Sequence, residues 1–165
     1  MINHSYIVSY FKKLATDFIP IKDFFRMDLT EINGAFRSSA EFPCMVLEVI
    51  EGDLNDSNIM NSVVSRSWAF TIYTNPANDD YEEQNEKLNL SEELGLKILA
   101  RLRHDNILRD HKLYNTFKVE DVTYNKVGPI FSERLYGYRF SGTFTKNNPL
   151  KVDVNDWKTD PNLCN

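Results

Sequence analysis

Cysteine, glycine and histidine are scarce in this chain, and each scarcity removes a class of chemistry. Only Cys44 and Cys164 occur, the first in an apolar stretch and the second one residue from the end of the sequence. Two such isolated thiols have neither metal-ligand spacing nor the density of a disulfide scaffold, and both are read as free. The six glycines are scattered singly, which leaves no room for a phosphate-cradling loop or a nucleophile elbow, and no HExxH segment is present. The three histidines, His4, His104 and His111, sit in separate contexts. Only the last two are close in sequence, and a separation of that length across a helix end fixes no shared ligand geometry. No metal, no cofactor and no catalytic residues are expected, and the chain does not read as an enzyme.

Basic charge is also in deficit. The formal charge of -5 opposes non-specific coating of nucleic acid, because phosphate neutralisation needs a basic surface. No apolar run approaches the roughly 18 residues of a membrane span. The opening MINHSYIVSYFKKL lacks the charged-then-apolar layout of a signal peptide, so folding in the cytosol is expected. What is present is a globular composition, 42% hydrophobic and 13% aromatic over 165 residues, enough for one domain with a real core and too apolar for disorder as the main state.

The strongest local signal runs from Asp79 to about Asp105. Leu90, Leu94, Ile98 and Leu102 recur every four residues with Leu99 beside them, one apolar stripe on a helix otherwise covered in charge. Asp79 and Glu82 have capping-box spacing, and Asp80, Glu82, Glu83 and Glu86 crowd the end where the helix dipole is positive. Lys97, Arg101, Arg103, His104, Arg109, His111 and Lys112 form the one basic concentration in the chain. Dipole and solvation account for that gradient on their own. A second account is an interface in which Glu82, Glu83 and Glu86 of one copy meet Lys97, Arg101 and Arg103 of the next, head to tail. Glu92 and Glu93 are adjacent, point in different directions, and cannot act as a carboxylate pair.

Around that helix the chain alternates between short patterns. Ile2, Tyr6, Ile7, Tyr10, Phe11, Leu14 and Phe18 predict an amphipathic N-terminal helix that Pro20 stops. IKDFFRMD reads as an aromatic strand, with a turn at Asn33-Gly34 and a return toward Phe36. FPCMVLEVIEG, residues 42–52, is nearly continuous in apolar residues and predicts a central strand, and residues 53–61 read as a polar turn. SVVSRSWAFTIYT gives a strand with Trp68, Phe70 and Ile72 on one strongly apolar face. Residues 113–124 contain a further strand, and Asn125 to Pro129 supply a turn. ERLYGYRFSGTFTK alternates most clearly, with Tyr136, Tyr138, Phe140 and Phe144 on one face and Gly137, Arg139, Ser141 and Thr143 on the other. Gly142 marks a bulge or a close approach by another group.

This order predicts an α+β domain over residues 1–149, with a mainly antiparallel sheet of about four or five strands and both the N-terminal helix and the long helix on one face. Residues 150–165 read as a C-terminal tail that Trp157 pins to a surface.

The element order, together with DFF at residues 23–25, FPCMVLE from residue 42, SRSWAFTIY and LYGYRFSGTF, resembles the small tail-completion proteins of tailed bacteriophages and prophages, the tail terminator or neck proteins. The resemblance covers roughly residues 2 to 146. It implies a non-enzymatic structural protein that caps the tail tube as a ring of identical subunits and joins it to the head. The implied partners are tail-tube and head-completion proteins, with DNA only as passing cargo and no membrane or small-molecule substrate. The implied location is the virion, and the bacterial host cytoplasm during assembly. No residue of this chain inherits a binding role from the resemblance. Two other readings remain open: a small-ligand or peptide-binding module using Tyr136, Tyr138 and Arg139, and an enzyme whose dispersed site leaves no mark in residue spacing.

Overall fold

The first helix starts where the sequence supplies a side-chain acceptor. Asn3 is extended and its Oδ1 accepts the Tyr6 N–H at 2.9 Å, so α1 runs His4–Asp17 as its periodicity predicts. Ile7, Tyr10, Phe11, Leu14 and Ala15 make its buried side. The computed structural model describes residues 2–26, 39–48, 50–56, 62–77, 80–130, 134–148 and 150–157. The expected turn at Asn33-Gly34, the return at Phe36, the Asp79 cap and Cys164 lie outside these residues.

After α1 the chain forms β1 (Asp23–Arg26), which pairs in parallel with β2 (Cys44–Leu47) from Asp23↔Cys44 to Arg26↔Leu47. The remaining strands are β3 (Gly52–Asp56), β4 (Ser62–Thr74), β5 (Thr123–Ile130) and β6 (Leu135–Asn147), all joined antiparallel. Between β4 and β5 lies α2 (Tyr81–Ile107), about 40 Å long at 1.5 Å per residue. The sheet order is β1-β2-β4-β6-β5, with β3 beside the first half of β4. Among the described residues the fold is α+β with a mixed, mostly antiparallel sheet of six strands, and α1 and α2 share one face.

Three local expectations are corrected. Residues 53–56, read as turn, pair β4 from Gly52↔Arg66 to Asp56↔Ser62. They do so because β2 and β3 form one interrupted rail along β4. The register slips by one residue between Leu47↔Phe70 and Gly52↔Arg66, with bonds from Glu48 N–H to Ala69 O and from Ser67 N–H to Glu51 O, both 2.9 Å, on either side. Asn125 to Pro129, also read as a turn, lie inside β5, whose register with β6 breaks only between Val127 and Ile130. Pro129 is tolerated because β5 is an edge strand. Trp157 pins nothing among the described residues, being 62% exposed.

Along β4 and β6 the even-numbered side chains face the helices. Trp68, Phe70 and Ile72 stand beside Phe140 and Phe144 in one buried cluster with Phe11 of α1 and Leu94, Ile98 and Leu102 of α2. Phe70 and Phe140, directly opposite in the register, stack with centroids 5.2 Å apart. Two glycines admit these rings. A Cβ on Gly95 of α2 would stand 1.9 Å from the Phe140 ring, and one on Gly142 would stand 2.5 Å from Trp68. The interruption at Gly142 is therefore a close approach, and the β4–β6 register runs through it unbroken. The strand β4 is also buried on its second face near its end, where Tyr73 joins Phe25, Cys44, Val46 and Leu135 in a smaller cluster. Its apolar character is thus two-sided, where one strongly apolar face was expected.

Gly95 gives a direct test, because two effects oppose each other there. Alanine would gain about 1 kcal/mol of helix propensity, whereas forcing a methyl into a filled core costs about 1–3 kcal/mol, and a 1.9 Å contact lies at the severe end. Gly95→Ala is expected to destabilise the fold by about 2 kcal/mol in urea denaturation; unchanged or increased stability would refute this account of the helix–sheet contact.

Candidate functional site

The end of α2 is held by polar groups that its leucine stripe did not advertise. Asp105 is 1% exposed and lies on the buried side of α2 with Leu102. Its Oδ2 accepts the Tyr10 hydroxyl of α1 at 2.8 Å, and its Oδ1 accepts the Arg101 Nε–H at 2.9 Å. His111 Nε2 stands 3.8 Å from the same carboxylate, and its ring meets Tyr10 edge-on at 5.8 Å. Lys112 lies over the Tyr6 ring, which stacks on Tyr10. Burial, and then the hydrogen bond and charge of Asp105, push the Tyr10 phenol far up from its ordinary range, with Arg101 opposing. Asn106 completes the clasp: its Oδ1 accepts the Thr116 and Phe117 N–H groups and its Nδ2 donates to Phe117 O. This assembly fastens α1 and the 113–117 segment to α2. Its members are mutually satisfied, so its chemistry is that of a structural lock.

A second lock sits at the middle of α2. The buried Ser91 hydroxyl donates to Ile72 O at 2.6 Å and accepts the Tyr138 N–H at 2.8 Å, bridging the helix to two facing strand residues. Gly137 lies beside this point, where a Cβ would fall 2.1 Å from Ile72 O.

The odd-numbered face of β4 and β6, away from α1 and α2, carries a polar cleft of about 530 Å³. Its floor is an ion pair. Arg139 Nε donates to Glu48 Oε2 at 2.7 Å, and the buried Thr71 hydroxyl donates to Glu48 Oε1 at 2.9 Å. Ser67, Ser141 and Thr143 line the walls, with Glu51 and Asp121 on the rim. Both rim carboxylates are exposed, and neither has a side-chain partner among the described residues. Such a lining suits recognition of polar or cationic groups. It brings no histidine or cysteine to the hydroxyls, and among the described residues no group of three or more His, Cys, Asp or Glu is placed to hold a metal ion.

The interface candidates are only partly brought together. Asp80 caps α2, its Oδ1 accepting the Glu83 N–H at 2.9 Å, and Glu83 Oε2 returns to accept the Ala77 N–H at 2.8 Å. Glu83 also lies 3.8 Å from Lys87. Lys97 is paired with Glu93 and Arg101 with Asp105, each one turn apart. Glu83, Lys97 and Arg101 are therefore occupied within their own helix, and Arg101 and Arg103, two positions apart, leave α2 from different flanks. Glu82, Glu86 and Arg103 are exposed and have no ion-pair partner among the described residues. The ligand-binding alternative needs correction, since Tyr136 and Tyr138 face the helices while Arg139 faces the cleft. Those three side chains cannot meet one ligand.

Sequence reading missed Glu48, Thr71, Ser91 and Asp105. The last two were detectable as polar residues lying on the apolar stripe of a helix; the first two depend on strand register. No family model matches this chain, and no curated protein matches its sequence. No helix among the described residues is long and apolar enough to cross a membrane.

Tyr10 yields a pH prediction with a definite sign. Its neutral phenol is favoured in the fold, so its contribution is fully present below pH 10.0, the ordinary value, and is lost as pH rises through the higher folded value. Tyr73, pushed up to about 12 by burial, acts in the same direction. Urea stability is expected to be level to about pH 9 and to fall above it. Tyr10→Phe should lose about 1.5–3 kcal/mol at neutral pH, as befits a hydrogen bond to a charged group, and show a shallower alkaline decline. An identical decline in the variant would remove Tyr10 from the lock.

Proposed function

We propose that this chain is a non-enzymatic structural subunit of a tailed phage or prophage, which completes the head-proximal end of the tail as a ring of identical copies. The reading starts from the resemblance over residues 2–146, with its N-terminal helix, largely antiparallel sheet, packed helix and glycine-interrupted closing strand. The observation that carries it further is the distribution of uncommitted charge. Glu82 and Glu86 near one end of α2 and Arg103 near the other are exposed and unpaired among the described residues, about 25 Å or more apart at 1.5 Å per residue. A body with unlike charge at opposite ends of one helix, fastened at its middle by Ser91 and at its basic end by Asp105, suits head-to-tail association. In this reading the virion is the final location and assembly occurs in the host cytoplasm. Tail-tube and head-completion proteins are the neighbours, and DNA passes through the ring without tight binding, which the net charge of -5 favours.

Light scattering over a wide concentration range, and electron microscopy of tail tubes assembled with and without the chain, test this reading. A closed species several times the monomer mass, or tubes capped and fixed in length by the chain, is expected. A strict monomer that leaves tubes uncapped and of uncontrolled length would overturn it.

A further inference from the structure

The cleft on the face of the sheet away from α1 and α2 has no partner among the described residues, and its rim is acidic. Glu51 and Asp121 stand there exposed and unpaired among the described residues, while the floor carboxylate of Glu48 is engaged by Arg139 and Thr71. At the far end of α2 the signs are reversed. Arg103 and Arg109 are exposed and make no ion pair among the described residues, whereas Lys97 and Arg101 are ion-paired within α2 and Lys112 lies over the Tyr6 ring. Between them Ile107 and Leu108 leave α2 with exposures of 64% and 42%. Two apolar side chains bracketed by unpaired guanidinium groups make a projection of the kind that interfaces bury. Asp105 and Asn106 hold this projection in place from behind, so little ordering cost attends its docking.

From this complementarity we infer that the cleft receives the α2 end of a second copy, with Arg103 and Arg109 of one chain against Glu51 and Asp121 of the next. This rests on the ring reading and specifies its contact. Because α2 lies on one face of the sheet and the cleft opens on the other, the two surfaces suit a heterologous contact and not a reciprocal two-fold one. The association is therefore heterologous, repeating from copy to copy. It also reassigns the acidic side of the contact from Glu82 and Glu86, at the capped start of α2, to the cleft rim.

Charge exchange tests the contact in the full-length chain. Two double variants are needed, Glu51→Lys with Asp121→Lys, and Arg103→Glu with Arg109→Glu, each checked for native circular dichroism and unchanged urea midpoint. Each alone is expected to weaken self-association by about tenfold or more, since like charges are brought together. An equimolar mixture should restore the assembly, because every junction then joins acid to base. Recovery in the mixture by sedimentation velocity establishes the contact. Variants that keep the wild-type assembly, or a mixture of folded variants that stays dissociated, overturn the contact but leave the ring reading standing. A wild-type chain that is monomeric at every concentration and does not cap tail tubes overturns both.

Discussion

The fold depends on two aromatic rings seated on two glycines. Phe140 of β6 occupies the space where Gly95 of α2 has no side chain, and Trp68 of β4 covers Gly142 of β6. The first contact brings α2 so near the sheet that a hydroxyl as short as that of Ser91 reaches the backbones of Ile72 and Tyr138. The second keeps β4 and β6 in uninterrupted register from Val63↔Asn147 to Thr74↔Tyr136. A larger residue at either glycine would lift the helix or the ring, and the polar bridge would then lose its length. Apolar packing sets the distance here, and hydrogen bonding uses it, which is why the buried polar groups in this core are specific without being numerous.

How much of this was legible depends on whether a residue's signal is local. Both helices and the strands β2, β4 and β6 announce themselves through their own period, because burial on one face imposes it. The polar strands β3 and β5 do not. The segment GDLND is a strand only because β4 is thirteen residues long and β2 occupies just part of its edge. The segment TYNKVGPI carries the composition of a turn and forms an edge strand, where one side needs no hydrogen-bond partner and a proline is admissible. Even the parallel β1–β2 pair, which makes the sheet mixed, depends on a connection through residues 27–43 that no periodicity encodes.

The candidate site shows the same division. Parity along β6 was visible in the sequence and separates Arg139 from Tyr136 and Tyr138, yet grouping the three as one ligand contact ignored that parity. The pairing of Arg139 with Glu48 joins residues 91 positions apart and follows from the β2–β4–β6 order alone. On α2 the charge gradient was plain, but one-turn neighbours absorb much of it, through Lys97 with Glu93 and Arg101 with Asp105. Asp105 itself sits where the stripe expects a leucine. A carboxylate at such a position is costly unless paired, so its presence there already implied partners, with Tyr10 supplying the one that sequence distance concealed.

The asymmetry between the two faces of the sheet has a consequence for association at large. Exposed single ion pairs contribute little, and a net charge of -5 makes copies repel one another before contact. Screening confines that repulsion to about 8 Å at physiological salt. Association of the proposed kind would thus need local complementarity strong enough to act within that range, which a preformed concave acidic rim and a rigid basic projection would supply better than diffuse charge on a helix surface. Because the locks at Asp105 and Ser91 already immobilise α2 against the sheet, the projection and the cleft keep one mutual orientation in every copy. A fixed relation between two complementary, non-identical surfaces is the condition under which repeated contacts close into a ring of definite number instead of a distribution of chains.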